Sequence, residues 1–109
     1  MIVNLTRNTV ISKQLVQKNG IEKFIGLIGK KRIEAIVIKT RLGIHTFFLK
    51  LSIDLLVIDK NKKVVFLKKD VTPGRIVIWN FKYDTVIELP SGILEKSKTK
   101  IGDLLKINL

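Results

Sequence analysis

Apolar positions in this chain follow two different periods. Ile21, Phe24, Ile25 and Ile28 recur at i, i+3, i+4 and i+7, which places them on one face of a helix. Asn19 can cap its start, Glu22 suits the first turn and Gly29 can end it, so the spacing predicts one short helix near residues 20–29. Everywhere else the apolar residues gather in short runs. Thr9-Val10-Ile11 and Gln14-Leu15-Val16 are β-prone pieces near the start, and Ala35-Ile36-Val37-Ile38, Ile44 to Leu49 and Ile53 to Ile58 fill the centre. Val64 to Leu67, Arg75 to Trp79, Thr85 to Leu89 and Leu104 to Ile107 complete the strand candidates.

Turn chemistry separates these runs. Arg41-Leu42-Gly43 breaks the chain, and Asp59-Lys60-Asn61-Lys62-Lys63 reads as a hairpin loop because Asp and Asn bond to nearby backbone. Thr72-Pro73-Gly74-Arg75 suits a type II turn, with Pro second and Gly third. Ser91 to Lys96 can form a short helical turn, and Lys100 to Asp103 another turn. Short strands at intervals of about ten residues, with one good helix among them, argue against βαβ units. The expected class is mainly β, α+β at the margin: a small β-sandwich or barrel-like domain with one short helix.

Length agrees with that reading. The 109 residues suit a single domain spanning 1–109, able to bury roughly two-thirds of its unfolded surface. The apolar fraction is 46%, mostly Ile, Leu and Val, which excludes disorder and favours a pleated sheet. No Cys is present, so disulfides, thiolate metal sites and cysteine nucleophiles are excluded. A single His added to that absence leaves no structural zinc set, and no cofactor motif is found. Residues 1–7 lack the basic-then-apolar character of a signal peptide, and no apolar run is long enough for a membrane span. The expected location is cytoplasmic.

Charge adds a partner question. The chain holds 21 basic and 9 acidic residues, a net charge of +12. Such a field favours anionic partners, although it is spread along the chain with no block of five like charges. Lys30-Lys31-Arg32 is the longest basic run and suits a helix C-terminus.

The candidate chemistry is sparse. His45 is the only histidine, in Gly43-Ile44-His45-Thr46-Phe47-Phe48, and no serine sits in a nucleophile elbow. Asp54 and Glu88 each border an apolar run, where a buried acid is ordinarily paired. Trp79-Asn80-Phe81-Lys82-Tyr83 would put three aromatics on one face if extended, a stacking surface or a piece of core. Asp59 to Lys63 is too basic for a calcium loop.

Two stretches carry a family resemblance. One runs from Gly43 through Ser52-Ile53-Asp54 and Ile58-Asp59 to Val65; the other is Val86-Ile87-Glu88-Leu89-Pro90-Ser91-Gly92 followed by Ile101-Gly102-Asp103. With Gly26-Leu27-Ile28 near the helix, they resemble the prokaryotic domain-of-unknown-function family 192. Its pattern joins a hydrophobic-Asp hairpin to Glu-Leu-x-x-Gly and a closing Gly-Asp. Leu49 and Ile28 stand where that family usually has Met, and Ser52 where it has Pro. The resemblance implies a compact, mostly β domain and no established activity. Its recurrent polar residues map to His45, Thr46, Asp54, Glu88 and Asp103.

The combined reading is a non-enzymatic binding or accessory domain with a cleft for a small polar ligand such as a sugar, contacted by His45, Thr46, Asp54, Trp79 and Glu88. The alternative is a nucleic-acid (RNA or DNA) binding module using Lys30, Lys31, Arg32, Arg41, Lys62, Lys63 and Arg75. A third is a hydrolase built on His45 with a nearby carboxylate or Ser.

Overall fold

The centre of the molecule is a five-stranded sheet that is apolar on both sides. A computed structural model describes residues 1–18, 35–47 and 49–108. The expected helix near residues 20–29 and the basic run at 30–32 lie outside the described residues. The strands are β1 (Ile2–Asn4), β2 (Thr9–Ser12), β3 (Leu15–Lys18), β4 (Ala35–Lys39), β5 (Ile44–His45), β6 (Ile53–Ile58), β7 (Val64–Val71), β8 (Ile76–Val77), β9 (Thr85–Pro90) and β10 (Leu105–Ile107), with a short helix α1 (Ile93–Lys96) after β9. The large sheet has the order β3-β4-β9-β6-β7; β10-β1-β2 form a second sheet and β5-β8 a third. Only the β3–β4 pairing is parallel among the described strands.

This mainly β arrangement of several packed sheets is the expected class, and none of the described sheets closes into a barrel. The reason is visible in the alternation of side chains. Ala35, Val37, Leu56, Ile58, Ile87 and Leu89 point to one face of the central sheet, against Ile2 and Ile11 of β1–β2, Leu105 of β10 and Leu94 of α1. Ile36, Ile38, Ile53, Leu55, Val57 and Val86 point to the other, against Ile44 of β5, Val77 of β8 and Leu49. A strand covered on both faces needs apolar residues at every position. That explains why β6 is buried from end to end and is apolar from Ile53 to Ile58 at every position but Asp54. Each such Ile, Leu or Val contributes roughly 1.5–3 kcal/mol relative to exposure.

The edges are handled differently. β7 ends the large sheet and exposes Lys68, Lys69 and Asp70, charges that discourage pairing with another strand. Ile53 pairs Val71 while Leu55 pairs Lys68, so β7 carries an extra residue, and Asp70 takes a left-handed φ of 53° there. β5 and β8 are shorter than the runs Ile44 to Leu49 and Arg75 to Trp79 suggest. Thr46 stops both: its N–H donates to the Arg75 carbonyl, and its own carbonyl accepts from Leu49 and Gly74 N–H groups, turning the chain.

Candidate functional site

The five residues expected to share a ligand site are divided by the central sheet, with Asp54 on one face and Glu88 on the other. Asp54 pairs across the ladder with Leu89 and Glu88 with Leu55, so alternation sends their side chains to opposite faces of the central sheet. Asp54 is fully buried, and its carboxylate is occupied by backbone. Oδ1 accepts the Asp70 N–H at 2.8 Å, and Oδ2 accepts those of Gly92 at 3.1 Å and Leu94 at 2.9 Å. One side chain thus ties the β7 bulge to the entry of α1. Glu88 is buried on the other face.

Thr46 is also a structural latch. Its hydroxyl donates to the Thr72 carbonyl and accepts the Arg75 N–H, both at 2.8 Å, closing the Thr72–Arg75 turn onto β5. Gly74 there has a φ of +83°, as the third position of a type II turn requires. His45 is half-buried beside it, its ring stacked on Phe47 with 4.9 Å between centroids. The Trp79–Tyr83 segment is not extended. It turns, with the Tyr83 N–H donating to the Asn80 carbonyl. Trp79 and Tyr83 pack partly against the core while Phe81 projects into solvent. Trp79 Nε1 donates to the Tyr83 carbonyl at 2.9 Å, so the three aromatics share no face.

A different set of residues forms a cleft, of about 900 Å³, at one end of the central sheet. Its floor is a row across three strands, in which Lys39 pairs Thr85 and Thr85 pairs Ile58. Val37, Ile107 and Tyr83 add apolar wall, and Gln17 and Asn61 add amides. Among the described residues, five cations line it: Lys39, Arg41, Lys60, Lys62 and Lys82. The two carboxylates among the described lining residues, Asp59 and Asp84, are already engaged. Asp59 Oδ1 accepts the Asn61 and Lys63 N–H groups at 2.8 and 3.0 Å, which forms the hairpin loop read from the sequence. Asp84 accepts from the Thr85 hydroxyl at 3.0 Å and faces Arg41 at 3.6 Å. Thr85, together with Lys39 and Arg41, holds the Asp84 carboxyl below its ordinary value of 3.8 against a smaller upward push from burial. Asp84 therefore stays ionised near neutral pH and offsets Arg41. Lys39 donates to Thr85 Oγ1 at 2.8 Å. Lys60, Lys62 and Lys82 have no ion pair among the described residues, so the described lining carries a surplus of positive charge.

Arg41 and Lys62 of the nucleic-acid set line this cleft, and Lys63 lies at the end of the same loop. Arg75 is elsewhere, its Nε donating to Thr72. Lys39, Lys60 and Asp84 are lining residues that the sequence did not mark as a site, whereas Lys82 and Tyr83 belong to the segment read as a stacking surface. The hairpin signal at Asp59–Lys63 was legible, but its meeting with the end of β4 and the start of β9 depends on a nonlocal register. Among the described residues, no group of His, Asp and Glu could hold a metal ion.

The order of elements, the Asp54 anchor on the β6–β7 hairpin and the Glu88-Leu89-Pro90-Ser91-Gly92 turn into α1 define a small β domain of a known but uncharacterised type. The chain belongs to domain-of-unknown-function family 192, described as Uncharacterized ACR, whose model matches residues 3–107. It is similar to a UPF0127 protein of Pyrococcus horikoshii, 35% identical over 116 residues and covering 97% of each chain. A UPF0127 protein of Pyrococcus furiosus is 28% identical over 114 residues, covering 98% of this chain and 97% of the relative. Among solved structures, a protein from Sinorhizobium meliloti named as a candidate transcription regulator superposes with a TM-score of 0.68 at 15% identity, covering 84% of this chain and 79% of the other. A protein of unknown function from Novosphingobium aromaticivorans gives 0.67 at 13%, covering 86% and 73%. At such identities the two structures share the fold alone.

Proposed function

We propose that this chain is a non-enzymatic binding domain whose basic cleft holds a small polar ligand carrying negative charge, of the type of a phosphorylated sugar. The observation that carries this reading is the imbalance within the cleft. Among the described residues, five cations meet two carboxylates, and both carboxylates already have partners. A volume of about 900 Å³ suits a small molecule. Lys60, Lys62 and Lys82 supply donors for phosphate oxygens, while Tyr83, Val37 and Ile107 offer surface to the rest of the ligand. Against the nucleic-acid reading, Arg75 of that set lies beside Thr72 rather than at the cleft that Arg41 and Lys62 line.

The test is a thermal-shift and calorimetric screen with neutral sugars, sugar phosphates, pyrophosphate and short oligonucleotides. Phosphorylated small molecules are expected to raise the melting temperature by mass action, and neutral sugars to leave it unchanged. A screen in which no phosphorylated compound binds at millimolar concentration ends the proposal. Oligonucleotides that outcompete every small ligand, with a steep salt dependence, would replace it with the nucleic-acid module.

A further inference from the structure

We infer that the edge of the molecule beside the cleft docks against an anionic lipid surface. Leu42 is 89% exposed, Ile76 68%, Ile78 69% and Phe81 75%. Single exposed apolar residues are ordinary, but these four sit together. Arg41 donates to the Phe81 and Lys82 carbonyls at 3.0 and 2.9 Å, which lays the turn carrying Leu42 along the segment carrying Phe81. On the other side of Leu42, Gly43 packs against Val77 and Ile78 so closely that an added Cβ would lie 2.4 Å from the Val77 carbonyl oxygen. Ile76 and Ile78 flank the buried Val77, so alternation turns both outward.

Charge identifies the occupant. Arg41 adjoins Leu42 and Lys82 adjoins Phe81, and both cations line the cleft, with Lys60 and Lys62 across it. Apolar tips set in a basic surface suit a membrane interface, where the tips enter the headgroup boundary and Lys82, Lys60 and Lys62 meet lipid phosphates, Arg41 being held by Asp84 and the Phe81 and Lys82 carbonyls. A second copy of this chain would bring Arg41 and Lys82 against like charge, within a net charge of +12 on each copy. Three of the four exposed residues are aliphatic, which gives stacked bases little to rest on. The inference does not depend on which small ligand the cleft takes.

The experiment is sedimentation with vesicles of phosphatidylcholine alone and of phosphatidylcholine mixed with phosphatidylglycerol. The wild type is compared with Leu42→Ser/Phe81→Ser, exposed substitutions that leave the core intact. Binding is expected only to the mixed vesicles, with partitioning at least tenfold weaker for the double variant at moderate salt. In Phe81→Trp, the new indole is expected to shift blue on those vesicles and to be quenched by brominated lipid, more than Trp79 in the wild type. Failure to bind mixed vesicles overturns the inference. So does binding that the double variant retains in full, which would be attraction of a cationic protein without insertion. An indole at position 81 that responds to single-stranded oligonucleotide and not to vesicles would make the patch a stacking surface instead.

Discussion

Asp54 and Glu88 stand on adjacent strands, each one ladder position from the other, yet their side chains occupy opposite faces of the central sheet. Asp54 faces the layer that contains Leu94 and α1, whereas Glu88 shares its face with Val86 and the residues packed beneath β5 and β8. Two acids that look alike in sequence are thus divided by a single step of register. The pair is unsuited to shared acid–base chemistry, and Asp54 acts as an anchor for two connections.

That role predicts a stability effect without a binding effect. In Asp54→Asn, one amide oxygen replaces two carboxylate oxygens, and the NH2 is turned towards a backbone donor. Three N–H groups compete for that oxygen, so a loss of about 2–4 kcal/mol is expected. Urea unfolding measures it. Ligand affinity at the distant cleft, measured under native conditions, should not change. A fall in affinity with stability intact would instead place Asp54 in a site.

A third buried carboxylate contributes to the acid limb of stability. Asp103 is held by Asn4 Nδ2 at 3.0 Å, Arg7 Nε at 3.1 Å and the Lys100 N–H at 2.9 Å. Burial pushes its carboxyl up, but those hydrogen bonds and the Arg7 charge hold it below the ordinary 3.8. A carboxylate depressed in the folded state stabilises above its unfolded value and loses that contribution as pH falls through the folded one. The stability difference between the wild type and Asp103→Asn should therefore be full at neutral pH and shrink below about pH 4. Urea midpoints measured across the acid range check this; a difference that grows on acidification would refute it.

Much of the framework is legible because it follows from local chemistry. Ala35 to Ile38, Ile53 to Ile58 and Thr85 to Leu89 are largely apolar runs, interrupted by Asp54 and Glu88, and they form the three inner strands of the large sheet. The Asp59–Lys63 loop and the Thr72–Arg75 turn declare themselves through Asp, Pro and Gly. The lengths of β5 and β8 do not, because the Thr46 hydroxyl ends them through contacts with residues 26 and 29 positions away. The cleft is hidden for the same reason. Lys39, Lys60 and Lys82 are unremarkable surface lysines until β4, β9 and the β6–β7 loop are brought to one end of the sheet.

Lys62 and Lys82 approach the cleft from different loops and carry no ion pair among the described residues. Lys62→Ala and Lys82→Ala should each weaken binding of a phosphorylated ligand by roughly tenfold, one charge-assisted hydrogen bond apiece. Melting temperatures without ligand should stay close to wild type, since exposed substitutions seldom move stability much. Calorimetry on both variants decides the matter, and unchanged affinity in both would remove the lysines from the site.

Two glycines offer the sharpest contrast in the molecule. Gly43 and Gly74 have nearly equal positive φ values of +90° and +83°, so an added methyl meets similar backbone strain at each, about 1–2 kcal/mol. Their surroundings differ. A Cβ at Gly74 would meet nothing within 4 Å, whereas one at Gly43 would lie 2.4 Å from the Val77 carbonyl oxygen and 2.9 Å from Ile78 Cγ2. The oxygen belongs to backbone held in the β5–β8 pairing and cannot swing aside. Gly43→Ala must therefore separate β5 from β8 and carry the turn of Arg41 and Leu42 with it. Its loss of stability should be about 3 kcal/mol or more, against about 1 kcal/mol for Gly74→Ala. Because Arg41 lines the cleft, Gly43→Ala should also weaken ligand binding while Gly74→Ala leaves it unchanged. Thermal unfolding and ligand titration of the two variants side by side test both statements. Equal stability losses would mean that the close approach of Gly43 to β8 is not what fixes this edge of the molecule.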